Sequence, residues 1–510
     1  MTPLPEALAA VPTAGGGWLV AAIMWPVVAL LLVIAVGERH AARVGVLALP
    51  VGLAIAAMVA LGVADAGGLG YHVGGWAPPL GIALRADGLS AAMLLVTAVV
   101  ASGAGIYALA DFGTPRPGQV ARTSFAFWAS LLGAWAALNL AFLGNDLFNL
   151  YVALELLTFA AVPLVCLDGR AATLQAALRY LLYALVGSVL YLLGAVLLYG
   201  AYGTLDMGLL ARAVRPEPAA WAAAALMTAG LLAKTALFPL HLWLPPAHAG
   251  APPAASAVLS ALVVKGSFFI VLRLWFEALP GLANAAAMQL VGLLGAGAIL
   301  YGSALALRQA RLKLLVAYST VAQIGYLFLV FPLAFDAAAG RLVAGAALAG
   351  GLLQAVSHAL AKAAMFMSAG LVAVALGHDR IAGLGGLARA RPASLLAFAL
   401  AGVSLVGLPP SGGFAAKWLL LSAAIATGQW WWAAVIVLGG LLTGAYLVLV
   451  LMRALEEPAE PAAPLRPVAA WREAVPLVLA LLAVFMGLAG LVPVEAGAGA
   501  GATLARGLLP

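Results

Sequence analysis

Runs of about 20 apolar residues recur from one end of this 510-residue chain to the other. Because an α-helix rises about 1.5 Å per residue, such a run crosses the hydrocarbon core of a bilayer, which is roughly 30 Å thick. Charged residues make up only 8% of the chain, against roughly 25% in soluble proteins. The sequence therefore predicts an all-α polytopic membrane protein, a single membrane domain over 1–510 without a sizeable soluble part.

The apolar runs predict about fourteen transmembrane helices. They lie at 18–36, 44–63, 88–110, 122–143, 146–167, 174–199, 220–244, 254–273, 285–307, 313–334, 343–376, 393–422, 428–452 and 474–494. The first run has neither a basic region before it nor a clean cleavage site after it, so we expect an uncleaved span. The charged, proline-rich segment 456–472 is predicted to be a solvated cytoplasmic linker.

Basic residues in loops and at span ends are distributed unequally between the two sides. With the N-terminus outside, the inner set is Arg39, Arg43, Arg116, Arg122, Arg170, Arg179, Arg308, Arg311, Lys313, Arg380, Arg389, Arg391, Arg453, Arg466 and Arg472. The outer set is Arg85, Arg212, Arg215, Arg273, Arg341 and Arg506. Because cytoplasmic loops carry the excess of arginine and lysine, we predict a bacterial inner-membrane protein with both termini in the periplasm.

Four of the five lysines belong to neither set, because Lys234, Lys265, Lys362 and Lys417 lie within predicted spans. A charge at the bilayer centre costs at least roughly 2.5 kcal/mol, so an ionisable residue there indicates a functional site. All arginines can be placed at span ends or in loops. Lysine can lose its proton when buried, whereas arginine effectively stays charged, and this division therefore favours proton transfer.

Only one acid, Glu155, lies clearly within a span, and Asp146 lies at the mouth of the same span. Four buried cations cannot all stay charged against one anion, because unpaired charges keep their full desolvation penalty. A Glu155–Lys234 pair would hold a proton and release it when the pair is disturbed. The structural alternative, in which lysines extend to the interface, suits Lys417, nearer the outer end, better than Lys234 or Lys265.

Three histidines are candidate proton relays. His358 precedes Lys362 by four residues and shares its side of the helix, while His241 and His248 lie near the inner end of their helix, where a titratable group suits proton uptake. No residues have a spacing suited to zinc, and the single cysteine excludes a disulfide framework. No phosphate loop, dinucleotide fingerprint or haem motif is visible, so we predict no metal, no cofactor and no nucleic-acid partner.

Spans 220–244 and 393–422 both contain prolines near a lysine and lie in corresponding positions of the two halves. Broken helices at matching positions indicate an inverted-repeat transporter, because irregular backbone at this depth is tolerated only around a cavity or within protein. We predict two inverted five-helix repeats, 122–273 and 285–452, with helices 7 and 12 broken.

Four motifs occur between roughly residues 80 and 450: KTALFPLHLWLPPAHAGAPPAASAVLSALVVKG, LKLLVAYSTVAQIGYLFL, SHALAKAAMFMSAG and GLPPSGGFAAKW. With them the sequence resembles the antiporter-like proteins shared by respiratory complex I and the multisubunit Mrp-type sodium/proton antiporters. The segments NDLFNLYVALELL and GSVLYLLGAVLLYGAYGTLDMGLLA look most like the D subunit of the Mrp antiporters. We expect a role like that of this component, since the chain ends soon after the last predicted span, without a lateral helix or extra domain.

The resemblance implies a role for five residues. Glu155 matches the acid of the fifth span, Lys234 the lysine of the seventh and Lys265 the bridging lysine of the eighth. His358 matches the polar residue of the eleventh span, and Lys417 the terminal lysine of the twelfth. Together they would form a hydrated polar axis, with protons entering from the cytoplasm near Lys234 and leaving toward the periplasm near Lys417.

Three functions remain open on the sequence. The first is a proton-translocating subunit of a multisubunit monovalent cation (Na+)/H+ antiporter, a transporter rather than an enzyme, working with other membrane subunits in the lipid bilayer. The second is a proton-pumping membrane subunit of a redox complex, such as complex I or a membrane-bound hydrogenase. The third is a non-conducting membrane scaffold subunit whose lysines are structural.

Overall fold

The computed structural model describes residues 11–114, 121–457 and 466–489, and this part of the chain is nearly all helical. The helices of the first half are α1 (Gly17–Val36), α2 (Ala41–Ala66), α3 (Gly88–Phe112), α4 (Ala121–Leu143), α5 (Leu147–Val165), α6 (Ala171–Tyr202), α7 (Met207–Ala213), α8 (Pro218–Thr235) and α9 (Leu244–Gly250). Strands β1 (Leu69–His72) and β2 (Ala83–Ala86) form an antiparallel hairpin between α2 and α3, with Leu69 opposite Ala86.

The helices of the second half are α10 (Pro253–Val258), α11 (Val264–Arg273), α12 (Ala285–Leu307), α13 (Leu312–Phe328), α14 (Val330–Ala334), α15 (Ala346–Leu376), α16 (Leu387–Ala390), α17 (Pro392–Val406), α18 (Gly412–Ala426), α19 (Trp430–Leu455) and α20 (Ala470–Ala489). A two-residue antiparallel pair, β3 (Phe335–Asp336) and β4 (Arg341–Leu342), lies in the loop before α15.

Twelve helical segments of the described chain are long and apolar enough to cross a membrane. They correspond to the twelve unbroken predicted spans, which confirms the all-α polytopic membrane fold. The total of fourteen crossings and the inverted repeats 122–273 and 285–452 stay predictions. The end of the last predicted span, 490–494, lies outside the described residues, as do Arg116, Arg506 and linker residues 458–465. Helix α20 begins at Ala470, within the segment 456–472 that was predicted to be a linker.

The two remaining predicted spans are interrupted where the sequence places their prolines. Helix α8 ends at Thr235, with Ala236 in the left-handed region at φ 58°, and the chain becomes helical again at Leu244. Helices α17 and α18 have 15 residues each, about 22 Å at the helical rise. Each is too short to cross a core of roughly 30 Å alone, so one crossing requires both.

The central span runs from Pro253 to Ala278 and consists of α10, α11 and two π-helical turns, Leu259–Val263 and Leu274–Ala278. Every residue from 254 to 275 in it is buried. A helix buried on all sides needs an apolar surface all round, which explains its nearly continuous apolar sequence. π-Turns often occur at functional sites, and the first of these directly precedes Lys265.

Ion pairs join residues of the same predicted side. On the arginine-rich side, Arg311 lies 3.0 Å from Asp379, whereas on the other side Arg273 lies 2.6 Å from Asp87. These contacts support the division of the loops into two sides, which we call the arginine-rich end and the opposite end. Which end faces the cytoplasm stays a prediction.

The charged network around Arg273 explains why the central span passes the predicted end at residue 273. The Arg273 guanidinium, only 3% exposed, donates to both oxygens of Asp87 at 2.6 and 2.7 Å and also to Glu277. Arg85 forms a second ion pair with Glu277. Because the charge is neutralised inside the protein, the helix continues one turn beyond the arginine. The network also ties the central span to the N-terminus of α3.

Helices α6 and α8 approach each other through two glycines. A Cβ atom placed on Gly230 would lie 2.2 Å from the Gly187 carbonyl oxygen, and one on Gly187 would lie 2.7 Å from the Gly230 oxygen. Small residues allow this close approach of backbones in membranes. The contact lies beside Ser188 and one helical turn before Lys234, so it fixes the separation of the helices that carry these side chains.

We expect Gly230→Ala to push α8 away from α6 and to destabilise the protein by about 1–3 kcal/mol, as overpacking commonly does. The measurement is the apparent melting temperature of the purified protein. Gly200→Ala is the matched control, because its Cβ on α6 would meet nothing within 4 Å. Equal melting temperatures for the two variants would contradict a tight α6–α8 contact.

The Asp87–Arg273 pair predicts a pH-dependent stability. Burial alone would raise the pKa of Asp87, but the charge and hydrogen bonds of Arg273, together with the charge of Arg85, hold it well below its usual range. A lowered folded-state pKa means that the ionised carboxylate stabilises the fold above the ordinary aspartate pKa of about 3.9, and that this stabilisation is lost only as pH falls through the lowered value.

We therefore expect Arg273→Gln to destabilise the protein by about 3 kcal/mol near neutral pH, because it removes the cation that binds both oxygens of Asp87 and leaves Arg85 alone to neutralise the part-buried Asp87 and Glu277. Burial then raises the pKa of Asp87, so the deficit should shrink as pH falls toward about 4. Apparent melting temperatures across this range measure the effect, with Arg212→Gln, at an exposed arginine, as control. A deficit that does not change with pH would refute this account.

Candidate functional site

Lys234 lies in the last turn of α8, directly before the first helix break, and is 7% exposed. Its Nζ donates to Thr158 Oγ1 at 2.9 Å and to the Leu154 carbonyl at 3.4 Å, both on α5. The Glu155 carboxylate of the same helix lies 3.3 Å from this ammonium. The structure thus brings Glu155 and Lys234 together as a buried ion pair.

Glu155 has a second partner on α6, where the Ser188 hydroxyl donates to its carboxylate. A small cavity beside the pair is lined by Tyr180 and Lys234 and reaches Ser267 of the central span. The glycine contact between α6 and α8 places Ser188 and Lys234 on either side of the same carboxylate. This arrangement gives the carboxylate two donors, Ser188 and Lys234, and places the ammonium beside a cavity that reaches the central span.

Lys265 is fully buried on the central span, and its Nζ donates to the Ser260 carbonyl in the π-turn at 2.5 Å. The Ser260 hydroxyl lies 2.9 Å from Thr320 Oγ1 of α13, which extends the polar contact to the next helix. Among the described residues, no carboxylate forms an ion pair with Lys265. Its ammonium is therefore held by neutral oxygens alone.

Lys362 and His358 lie one turn apart on α15 and are both buried. Lys362 Nζ donates to the Ser319 hydroxyl and, at 3.1 Å, to the Val316 carbonyl of α13. Neither ring nitrogen of His358 has a hydrogen-bond partner in the described structure, and the ring lies within electrostatic range of Lys265, Lys362 and Lys417. A buried polar group without a partner calls for an explanation.

Lys417 of α18 extends into the second helix break. Its Nζ donates to the Leu405 and Val406 carbonyls at 2.6 and 3.1 Å and lies 4.3 Å from the centroid of the Tyr326 ring. The last carbonyls of a helix lack intrahelical partners and carry the negative end of its dipole, so the C-terminus of α17 binds a cation. Lys417 is only 7% exposed, and its ammonium lies at the break between α17 and α18.

The other candidate relays occupy different environments. His241, between α8 and α9, is 2% exposed and packs beside Tyr301, with ring centroids 5.2 Å apart. His248 of α9 stacks on Phe366 at 4.5 Å and lies within electrostatic range of the central lysines. The described residues contain no group of three or more histidine, cysteine or acidic side chains that could hold a metal ion.

Asp146 caps the N-terminus of α5 instead of joining the lysines. Its carboxylate accepts hydrogen bonds from the backbone N–H groups of Phe148 and Asn149 at 2.9 and 3.0 Å. Asp and Asn are preferred at this helix position because they satisfy N–H groups that have no intrahelical partner. The geometry therefore explains Asp146 by helix capping.

The observed position of Lys313 differs from the sequence interpretation, which counted this lysine among the basic residues of the inner side. It lies in the first turn of α13, is 8% exposed, and donates to the Ala251 carbonyl at 2.6 Å. The fifth lysine is thus buried as well, because the end of α9 covers the start of α13. Its position close to Arg311 in the sequence concealed this burial.

Sequence reasoning also missed the neutral polar residues that connect the lysines. Gln354 donates to Gln323 at 3.0 Å, and Gln323 donates to the Leu405 carbonyl that also binds Lys417. The available signal was spacing: Gln354, His358 and Lys362 follow one another at four-residue intervals and share one face of α15. These amides link α15 to the second break.

Residues 144–443, more than half of the chain, match the family model described as NADH:quinone oxidoreductase/Mrp antiporter, transmembrane. The protein belongs to this family, which confirms the resemblance that its motifs indicated. It is an antiporter-like, multi-pass membrane subunit.

Individual relatives come from both branches of the family. The chain is 36% identical to the N subunit of NADH-quinone oxidoreductase of Desulforudis audaxviator, over 75% of each chain. It is 28% identical to the D subunit of the Na(+)/H(+) antiporter of Bacillus subtilis, over 77% of each chain. A chain of the Mrp complex structure from Dietzia sp. DQ12-45-1b superposes with a TM-score of 0.84 at 26% identity, covering 96% of this chain and 97% of that one.

Proposed function

We propose that this protein translocates protons as a subunit of a multisubunit monovalent cation (Na+)/H+ antiporter. The proton-carrying side chains are Glu155, Lys234, Lys265, His358, Lys362 and Lys417. The observation that carries the proposal is that the lysines among them lie buried between the two helix breaks, with Lys234 alone paired to a carboxylate among the described residues.

The charges on this axis restrict how many of its lysines hold a proton at once. Lys265, Lys362 and Lys417 are bound by carbonyl and hydroxyl oxygens, which stabilise an ammonium without cancelling its charge. A like charge nearby disfavours protonation, so a proton on one of these lysines opposes a proton on the next. Coupled groups of this kind titrate as a set, and a proton added at one end favours release at the other.

The two helix breaks, after α8 and between α17 and α18, lie at the two ends of the proposed proton path. Protons enter near Lys234, with His241 and His248 as relays from the predicted cytoplasmic side, and leave near Lys417. This direction follows from the predicted orientation in a bacterial inner membrane, with both termini periplasmic. His358 connects the central lysines to Lys417, because its unpartnered ring lies within electrostatic range of both.

The antiporter role is favoured by similarity along nearly the whole chain. The match to the Mrp complex chain covers 96% of this protein with a TM-score of 0.84, and the relatives from Bacillus subtilis and Alkalihalophilus pseudofirmus are D subunits of sodium/proton antiporters. Other membrane subunits are accordingly the proposed partners, and sodium and protons the proposed ions.

A second candidate, a proton-pumping subunit of a redox complex, is favoured by the 36% identity to the N subunit of NADH-quinone oxidoreductase. The same axis would then carry protons driven by electron transfer in a partner. A non-conducting scaffold is the third candidate, and flux measurements separate it from the first two.

Replacing the lysines should abolish proton movement. We expect Lys234→Ala and Lys265→Ala each to lower proton flux about tenfold or more, a conservative figure for the contribution of a proton-transfer group, measured in vesicles that contain the assembled complex. Lys234→Arg should retain the ion pair with Glu155 yet fail to restore flux, because arginine does not release its proton.

Arg212→Gln, at an exposed arginine in the last turn of α7, is the control and should leave flux unchanged. Unchanged flux in both alanine variants would remove the proposed mechanism and favour the scaffold. Full activity of Lys234→Arg would show that the position needs a fixed charge and not a proton carrier.

The partners decide between antiporter and redox pump. We expect a tagged chain to purify with further membrane subunits and without flavin or iron–sulfur absorbance. Sodium-dependent proton exchange by that complex in liposomes is the second measurement. Co-purification with flavin- or iron–sulfur-containing subunits would instead establish the redox candidate.

A further inference from the structure

A cleft of about 400 Å³ opens between α6, α12, α13 and the start of α9. Its polar lining consists of Arg179, Tyr183, His241, Tyr301 and Tyr318. Helix α6 begins, α12 ends and α13 begins at the arginine-rich end, so the cleft lies toward that end. Its volume falls in the range of roughly 300–1,000 Å³ that is typical of ligand pockets.

Most polar groups of the cleft have no hydrogen-bond or ion-pair partner among the described residues. Within the described residues, the Arg179 guanidinium forms neither an ion pair nor a hydrogen bond, and the Tyr183, Tyr301 and Tyr318 hydroxyls likewise have no partner. His241, which is 2% exposed, has an unpartnered Nδ1. A cation, three hydroxyl donors and an imidazole therefore converge on one space that no carboxylate lines.

This set of groups matches an oxyanion of phosphate type. Arginine binds phosphate through two parallel N–H donors, and tyrosine hydroxyls donate to the remaining oxygens. Basic pockets between transmembrane helices on the cytoplasmic side accept acidic lipid head groups. The carboxylates of Asp168 and Asp379 at the same end are already paired with Arg170 and Arg311, so they do not neutralise Arg179.

The surroundings favour a lipid over a soluble anion. Leu242, at the rim, is 52% exposed, and Tyr301 is 40% exposed, so the cleft opens on the outer surface of the helices. Leu182, one turn deeper than Arg179 on α6, is 55% exposed and offers apolar surface for an acyl chain. A phosphate at Arg179 with a hydrocarbon tail along α6 satisfies both the charge and the apolar rim.

We propose that this cleft binds the phosphate of an anionic phospholipid from the leaflet at the arginine-rich end, with Arg179 as its cation and the three tyrosines as donors. The site goes beyond the proton axis and does not depend on it. His241 at its inner wall would place the head group next to the first helix break.

The test uses the purified full-length protein, in its complex, in phosphatidylcholine nanodiscs that contain a photoreactive phosphatidylglycerol. We expect labelling of peptides that line the cleft, and a several-fold loss of that labelling in Arg179→Gln. Tyr301→Phe, which keeps the ring and removes the donor, should also reduce labelling. Arg43→Gln is the matched control, since Arg43 is an exposed arginine of the same predicted side on α2, and should leave labelling unchanged.

Two further arms identify the ligand. Excess unlabelled phosphatidylglycerol should displace the probe, whereas inorganic phosphate should not. Displacement by inorganic phosphate would overturn the lipid assignment in favour of a soluble anion, and equal labelling by a photoreactive phosphatidylcholine would show that the negative charge is not recognised. An equal loss of labelling in Arg43→Gln would refute the role of Arg179. Melting temperatures of all variants identify any that fail to fold.

Discussion

The structure depends on how lysine ammonium groups are solvated inside a membrane. Hydrocarbon offers no hydrogen bonds, so every buried ammonium needs oxygen atoms from the protein. Regular helices supply few such oxygens, because most of their carbonyls already accept a hydrogen bond within the helix. Leu154 of α5 and Val316 of α13 do bind Lys234 and Lys362 in addition. Side-chain hydroxyls supply some, as Thr158 does for Lys234. Interrupted or widened helices supply the rest: the π-turn gives the Ser260 carbonyl to Lys265, and the end of α17 gives two carbonyls to Lys417.

Much of the fold could be predicted from the sequence because lipid allows so few backbone structures. Long apolar runs give helices directly, and the bounds of most spans differ by only a few residues from those predicted. The errors arise where protein replaces lipid as the surroundings. The predicted span ends at Arg273, where an unpaired charge would be unfavourable in a membrane helix. In the structure Asp87 and Glu277 neutralise the arginine, so the helix continues. Lys313 was counted among the basic residues of the inner side. Its burial could not be predicted, because α9, which covers it, is distant in the sequence.

The candidate site was predictable in its charged members and not in its neutral ones. A lysine or glutamate within a span stands out against an apolar background, and the Glu155–Lys234 pair could be anticipated because one acid faced several cations. Ser188, Ser319 and Gln323 carry no such signal, and Gln354 is indicated only by its four-residue spacing from His358. Their importance follows from contacts between helices, such as Ser188 with Glu155, which only the folded arrangement provides.

The two breaks differ in how they bind the lysine ammonium, and under the proposed function this difference would give the proton path a direction. At the first, Lys234 has a carboxylate partner at 3.3 Å, so a proton arriving there restores an ion pair. At the second, Lys417 has only carbonyl dipoles and an aromatic face, so a proton there keeps its full charge in surroundings of low dielectric. A full negative charge attracts an ammonium more strongly than a helix end, which carries about half a charge. In the proposed mechanism the resting proton is therefore held more firmly at the first break, and repulsion along the row of lysines would drive it from the second.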